Sequence, residues 1–265
     1  MSYVHGYDRR ANVRLQDQAD ALVDLLHSDT HYPERSLVLE AGCGVGAQTV
    51  TLVRNSPRAR FVSIDISPDS LGAARRKVQS ANVLFQQADV YQLPFARESF
   101  DHVFVCFLLE HLARPLEALE KLKQVLKPGG SITVIEGDHG STYFHPDSAA
   151  AHEAIRCQVE LQRASGGNAN IGRELYPLLR RARFADVSVS PRMVYVDASR
   201  PRLVDGFTRK TFTAMIEGVR EAAVRSAMIS AARFDEGIRA LYRTAEDDGV
   251  FCYTFFKALG RKSSL

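Results

Sequence analysis

Three glycines stand on alternate positions directly after an apolar run at residues 37–41. They are Gly42, Gly44 and Gly46, and Glu40 lies two residues before the first of them. Glycines spaced this closely are typical of a segment in which the backbone turns tightly or in which another group approaches the backbone closely. The run also satisfies GxGxxA, a variant of the dinucleotide fingerprint, and Asp65 follows about 20 residues on, where a ribose-binding acid is expected. The pattern predicts a nucleotide-like ligand, with a ligand-free tight turn as the alternative.

Two further acids distinguish between the ligands that such a turn could bind. Beside a pyrophosphate, Glu40 would add unfavourable negative charge, whereas beside an amino group and a sulfonium it would be favourable. Asp89 ends the third apolar run in the same way, and a carboxylate there could accept a hydrogen bond from an exocyclic amine such as that of adenine. The acids therefore favour an amino-acid-bearing sulfonium nucleoside over a dinucleotide.

Short apolar runs alternate with helical patterns between residues 36 and 137. Such alternation predicts crossover units and a doubly wound, mostly parallel sheet that is buried on both faces. The fold class is therefore α/β with a seven-stranded, Rossmann-like sheet. The strands predicted in this part are Ser36–Glu40, Arg60–Asp65, Val83–Gln87, Phe100–Phe107 and Ser131–Glu136, the last of them following a break at Pro128-Gly129-Gly130.

The residue pattern in the remainder of the chain predicts helical insertions after strands five and six. Helices are expected at 146–165, 171–182 and 201–245, and strands at 186–197 and 251–259. We therefore expect an N-terminal helical lid at 1–35, a cofactor-binding core at 36–140 and a C-terminal part at 141–265 that holds the cap and the last two strands. The cap would cover the carboxyl edge of the sheet, where ligands bind in open α/β sheets.

Composition favours a cytoplasmic protein without a nucleic-acid partner. The net charge of the 265 residues is +3 without a long run of like charges, so no nucleic-acid partner is expected. There is no apolar stretch of about 18 residues and no apolar signal core near Met1, so neither a membrane span nor secretion is expected. The four cysteines are widely spaced and predict free buried thiols. The histidines show no metal-ligand spacing.

Four segments together resemble class I S-adenosylmethionine-dependent methyltransferases, in particular the ubiquinone/menaquinone-methyltransferase-like group of small-molecule enzymes. The segments are LEAGCGVGAQT, SIDIS, QADVYQLPFARESFDHVFVCFLLEHL and LKQVLKPGGSITVIE, and they occur in the family's order over residues 36–137. The resemblance implies S-adenosyl-L-methionine as the cofactor and a small-molecule acceptor. It specifies neither the acceptor nor whether oxygen, nitrogen or carbon is methylated.

The resemblance also assigns cofactor contacts. The methionine end would meet Glu40 and the turn Gly42, Cys43, Gly44 and Gly46, while Asp65 would hold the ribose hydroxyls. The adenine would pack on Ile66 and Val90 and donate to Asp89, and Cys106 and Phe107 would border the sulfonium. From the lid, Tyr7, Arg14 and Gln18 would reach the methionine carboxylate, unless that segment is only an amphipathic helix.

Catalytic and acceptor residues are harder to assign, because methyl transfer mainly requires alignment and a base only where a proton must leave. Glu110 and His111 follow strand four and are the catalytic candidates, with a helix start as the alternative. His139, Tyr143 and His145 follow strand five, where the fold places its acceptor, and His102 is expected to be structural.

Three other functions stay open at this point. An NAD-dependent oxidoreductase fits the glycine turn, although Glu40, Asp89 and the KPGG turn argue against it. The chain could also be a non-catalytic cofactor-binding protein. An RNA or protein methyltransferase is the third alternative, for which a strongly salt-dependent affinity for RNA would be evidence.

Overall fold

A seven-stranded sheet with the strand order β3-β2-β1-β4-β5-β7-β6 forms the centre of the fold, in a computed structural model that describes residues 22–264. The pairs β1–β2, β2–β3, β1–β4 and β4–β5 are parallel, which confirms the doubly wound α/β class. The strands are β1 (Leu37–Ala41), β2 (Arg60–Asp65), β3 (Val83–Gln87), β4 (Phe100–Cys106), β5 (Leu126–His145), β6 (Ala185–Val196) and β7 (Val250–Arg261).

Helices connect the strands, beginning with α1, whose described part is 22–27. They continue as α2 (Ala47–Asn55), α3 (Pro68–Lys77), α4 (Pro115–Val125), α5 (Ala149–Ala164), α6 (Leu175–Arg181), α7 (Pro201–Leu203), α8 (Ala214–Glu217), α9 (Arg220–Arg225) and α10 (Ala231–Arg243). A π-helix covers Val204–Thr213, and 3-10 turns cover Leu109–His111 and Ile171–Glu174. None of the helices among residues 22–264 has both the length and the apolar character needed to cross a bilayer.

The fifth strand differs from the prediction at both ends. It runs from Leu126 to His145, so Pro128–Gly130 lie within it and the segment after Gly137 is strand rather than loop. Gly137 does not end the strand, because it is a close-packing position: a Cβ there would clash with the hydroxyl of Tyr253. Gly129 and Gly130 are likewise paired, since they exchange backbone hydrogen bonds with Lys262.

The chain divides into two compact units. The first, which we call the core unit, comprises 26–136, 171–191 and 256–264, and the second unit comprises 22–25, Gly137–Asn170 and Arg192–Phe255. The core unit is built on aliphatic side chains such as Leu39, Val103 and Leu122, each fully buried. The second unit is built largely on aromatic side chains: Phe207, Phe212, Phe251, Tyr253 and Phe255 are all buried.

Candidate functional site

The glycine turn joins β1 to α2 in a conformation that glycine adopts most readily. Gly42, Gly44 and Gly46 have φ values of 76°, 52° and 78°, in the left-handed region. The backbone N–H groups of Gly42 and Cys43 both donate to the carbonyl of Ile64, at 2.8 and 2.9 Å. This pairing fixes the turn against the carboxyl end of β2.

The three glycines meet different surroundings. A Cβ on Gly42 would lie 2.9 Å from the side chain of Leu108, and one on Gly46 would lie 3.1 Å from Cβ of Ala74. Those two glycines therefore allow the turn to pack against the protein itself. A Cβ on Gly44 would have no heavy atom of the described residues within 4 Å. Gly44 is consequently the position at which a ligand can approach the backbone.

Alanine substitutions at Gly44 and Gly46 should separate ligand approach from packing. We expect Gly46→Ala to lower the free energy of unfolding by about 2–3 kcal/mol, because strain at positive φ adds to the contact with Ala74. Gly44→Ala should lower the free energy of unfolding only by the backbone strain, about 1–2 kcal/mol. It should nevertheless weaken ligand binding more than Gly46→Ala does. Urea unfolding and calorimetric titration would measure the two effects. A Gly44→Ala protein that binds as well as the wild type would exclude this position as the point of approach.

Asp65 is held at the end of β2 by the turn and by the start of α3. Its Oδ2 accepts from the N–H of Gly44 at 2.8 Å, and its Oδ1 accepts from the N–H of Ser67 at 2.9 Å. Burial raises the pKa of Asp65, and these backbone donors oppose that rise. A carboxylate has about four lone-pair sites, so each oxygen retains capacity for a hydroxyl. The next side chain, Ile66, is 58% exposed and can cover an aromatic ring.

The residues after β3 have the same arrangement of an acid followed by an apolar side chain. Oδ1 of Asp89 accepts from the N–H of Tyr91 at 2.9 Å, which orients a half-buried carboxylate. Val90 is only 8% exposed and packs with the main core cluster. Cys43, by contrast, directs its side chain into a small cluster with Leu71, so only its backbone can face a ligand.

Glu40 is almost fully buried at the end of β1. Its Oε2 accepts from the hydroxyls of Thr49 on α2 and Ser63 on β2, at 2.7 and 2.6 Å. Burial raises the pKa of Glu40 to about 7, partly opposed by these two hydroxyls. The carboxyl group thus links three elements around the glycine turn and can exchange a proton near neutral pH.

The carboxyl end of β4 continues into the 3-10 turn that holds both catalytic candidates. Cys106 is buried, and Phe107 adopts a positive φ of 55°. Glu110 is also buried, and its Oε1 lies 3.4 Å from Nε2 of His111. The structure therefore brings Glu110 and His111 together as a carboxylate–imidazole pair, on a 3-10 turn rather than at the start of an α-helix.

Glu136 lies beside this 3-10 turn and is not among the predicted site residues. It is fully buried in β5, and its Oε1 accepts from the N–H groups of Leu108 and Leu109, at 3.0 and 2.7 Å. The available signal was positional: an acid ends the predicted fifth strand just as Glu40 and Asp65 end theirs.

The three acceptor candidates on β5 lie in different environments within the second unit. His139 is buried, with Nδ1 2.9 Å from the hydroxyl of Tyr253 and Nε2 3.4 Å from Sδ of Met215. Tyr143 is 52% exposed, and His145 is exposed. The three residues lie along the extended strand β5, and their acceptor role stays a prediction. His139 also borders a cavity of about 460 Å³ beside α5, together with His152 and Asn170.

Tyr7, Arg14 and Gln18 lie outside the described residues, so their expected contacts stay predictions. His102 lies inside β4, with Nδ1 2.8 Å from the hydroxyl of Ser131 on the neighbouring strand and its ring 5.1 Å from that of Tyr32.

Known proteins share this chain's core and its fold. Residues 39–134 match the family described as methyltransferase domain. An uncharacterized 37.1 kDa protein of a Streptomyces fradiae transposon is 32% identical over 68% of this chain and 52% of its own length. Demethylmenaquinone methyltransferase of Chlamydia trachomatis is 32% identical over 47% of this chain and 52% of its own. The chain thus spans about half the length of these relatives.

A solved structure extends the likeness beyond the matched domain. Phosphoethanolamine N-methyltransferase 2 of Haemonchus contortus, in complex with phosphomonomethylethanolamine and S-adenosylhomocysteine, superposes with a TM-score of 0.56 at 17% identity. The match covers 93% of this chain and 53% of that one, which shows a shared fold. These comparisons identify residues 39–134 as a methyltransferase domain of the class I S-adenosylmethionine-dependent type, similar to the demethylmenaquinone methyltransferases.

Proposed function

We propose that the core unit binds S-adenosyl-L-methionine and that the protein transfers its methyl group to a small-molecule acceptor. The observation that carries the proposal is the open side of Gly44 beside an Asp65 carboxylate that the same glycine holds. A ligand that approaches Gly44 meets an oriented acceptor for ribose hydroxyls. The demethylmenaquinone methyltransferase relatives support the small-molecule class of acceptor.

The surrounding residues fit the remaining parts of this cofactor. Ile66 offers an exposed apolar side chain and Asp89 an oriented carboxylate, which suit the ring and the amine of an adenine. Three buried acids add to these residues: Glu40 in β1, Glu110 in the 3-10 turn after β4 and Glu136 within β5. When bound, the cofactor supplies an electrophilic methyl group on a positively charged sulfur, and buried acids favour that charge.

The protein's own part in the reaction is to align the reactants and exclude water. In-line displacement needs the accepting atom close to the methyl carbon and on its far side, so positioning supplies most of the rate. His111, paired with Glu110, is the proposed base wherever the acceptor loses a proton. The acceptor roles of His139, Tyr143 and His145, which lie in the second unit, stay predictions.

Cofactor binding is tested by titrating the protein with S-adenosylhomocysteine and with NAD. We expect binding of the first and none of the second, and we expect Asp65→Ala to weaken binding by about 1–3 kcal/mol, because ribose hydroxyls lose a buried partner. Asp69→Ala is the control, since Asp69 is exposed in the first turn of α3. Equal affinity in the Asp65→Ala and wild-type proteins would contradict this site.

Methyl transfer itself needs a second experiment. The purified protein should methylate at least one member of a panel of phenols, quinols and amines when supplied with S-adenosylmethionine, detected as S-adenosylhomocysteine formation. A protein that binds the cofactor and forms no product with any of them would instead support a non-catalytic cofactor-binding role.

A further inference from the structure

One oxygen of Glu136 has no hydrogen-bond partner within residues 22–264, although the residue is fully buried. Oε1 is bound by the N–H groups of Leu108 and Leu109, but Oε2 has no hydrogen-bond partner among the described residues. Buried carboxyl oxygens are normally hydrogen-bonded. A buried carboxyl oxygen within β5 that no described residue hydrogen-bonds therefore needs an explanation.

The groups around Glu136 are mostly other acids. Glu110 follows β4, and Glu40 lies near the end of β1. Burial is the main cause that raises the pKa of the Cys106 thiol, and the three carboxyl groups raise it further. Burial and the neighbouring charge of Glu110 raise the pKa of Glu136, while the N–H groups of the 3-10 turn lower it. Residues 22–264 supply no lysine or arginine that forms an ion pair with Glu136 or Glu40.

Among the described residues, the bases His111 and Lys257 lie near Glu136, and each contacts another group. His111 faces Glu110, at 3.4 Å. Lys257 reaches this region from β7, where its charge acts on Cys106, but its Nζ is bound to Asp29 and Thr30. A buried carboxyl without a cation takes up a proton, whereas a cation nearby favours the ionised form.

We propose that Glu136 holds a proton in the cofactor-free protein and releases it when a cationic cofactor binds, so that the site favours S-adenosylmethionine over S-adenosylhomocysteine. This inference rests on the proposed function. The step is a simple ionisation: the carboxylic acid becomes a carboxylate, and the proton passes to solvent. Methyl transfer leaves a neutral thioether, after which Glu136 regains a proton and the product is held less tightly.

Calorimetric titration of the whole protein measures the proton directly. Each ligand is titrated at pH 7 in two buffers with different ionisation enthalpies, and the change in heat between buffers gives the protons released. S-adenosylmethionine and S-adenosylhomocysteine share their amino and carboxylate groups, so the difference between them isolates the sulfonium. We expect greater release with S-adenosylmethionine. Equal release with both ligands overturns the inference while leaving the proposed function intact, and binding of neither ligand overturns both.

The variant Glu136→Gln tests the assignment to this residue. Its amide oxygen can still accept from Leu108 and Leu109, while the titrating group is lost. We expect the difference in proton release to vanish and the preference for S-adenosylmethionine to fall about tenfold, since one buried charge interaction is removed. Glu120→Gln, at an exposed position on α4, should change neither quantity. Unchanged preference in Glu136→Gln would overturn the inference, and the wild-type comparison decides the matter alone if that variant does not fold.

Discussion

Replacing Lys257 by methionine is expected to lower the free energy of unfolding by about 3 kcal/mol. Lys257 is 3% exposed on β7, and its Nζ donates to the carbonyl of Leu26 at 3.2 Å and to Asp29 and Thr30 at 2.6 Å each. Methionine keeps most of the side-chain volume but leaves those acceptors without their donor. The loss is measured by urea unfolding of the cofactor-free protein.

A matched control separates burial from ion pairing. Lys210 also lies 2.6 Å from an aspartate, Asp205, but its side chain is 54% exposed where that of Lys257 is 2% exposed. Exposed pairs contribute at most about 1 kcal/mol, so Lys210→Met should be nearly neutral. Hydrogen exchange adds a local measure: amides in residues 22–30 should exchange faster in Lys257→Met only. Equal stabilities of the two variants would show that the buried contacts of Lys257 contribute little.

Lys257 illustrates what a strand pattern cannot reveal. In FCYTFFKAL a single lysine among apolar residues has no sequence neighbour that would predict its burial. Its partners lie more than 200 positions away in the chain, in α1 and just after it, so only the folded topology identifies them.

The glycine turn and its acids were predictable because their signals are local. The turn needs positive φ at successive glycines, and the acids at the ends of β1 and β2 follow from parallel strands that end at one edge. Helix α3 was predictable from Ser67, whose hydroxyl accepts from the N–H of Ser70, and from Pro68 in the first turn.

The second unit was less predictable, because contacts between residues distant in the sequence determine which of its side chains are buried. Gly137 suggested the end of a strand, yet it only makes room for Tyr253, 116 positions later in the chain. The same tyrosine selects His139 as the buried partner on β5, while Tyr143 is exposed. The local sequence around β5 predicts neither contact with Tyr253.

Two buried groups should give the cofactor-free protein opposing responses to pH. Burial lowers the pKa of His27 to about 4, although its hydrogen bond with Gln48 opposes this, and burial raises the pKa of Glu40 to about 7. For His27 the unfolded state binds more protons, so its contribution to stability is present above about pH 6.5 and is lost as the pH falls towards 4. For Glu40 the folded state binds more protons, so its contribution is present below about pH 4.5 and is lost as the pH rises through 7.

Each group changes the free energy of unfolding by about 3 kcal/mol across its range, and the two nearly cancel between about pH 4.5 and 6.5. Removing either group should therefore reveal the pH dependence of stability that the other group causes. We expect the stability of Glu40→Gln relative to the wild type to rise by about 3 kcal/mol from pH 4.5 to 7, and that of His27→Gln to fall by a similar amount from pH 4 to 6.5. Urea unfolding at half-unit pH intervals measures both differences, and taking them against the wild type removes the other titrating groups. Because the two slopes have opposite signs, a common change in both variants would show that neither pKa shift controls stability in this range.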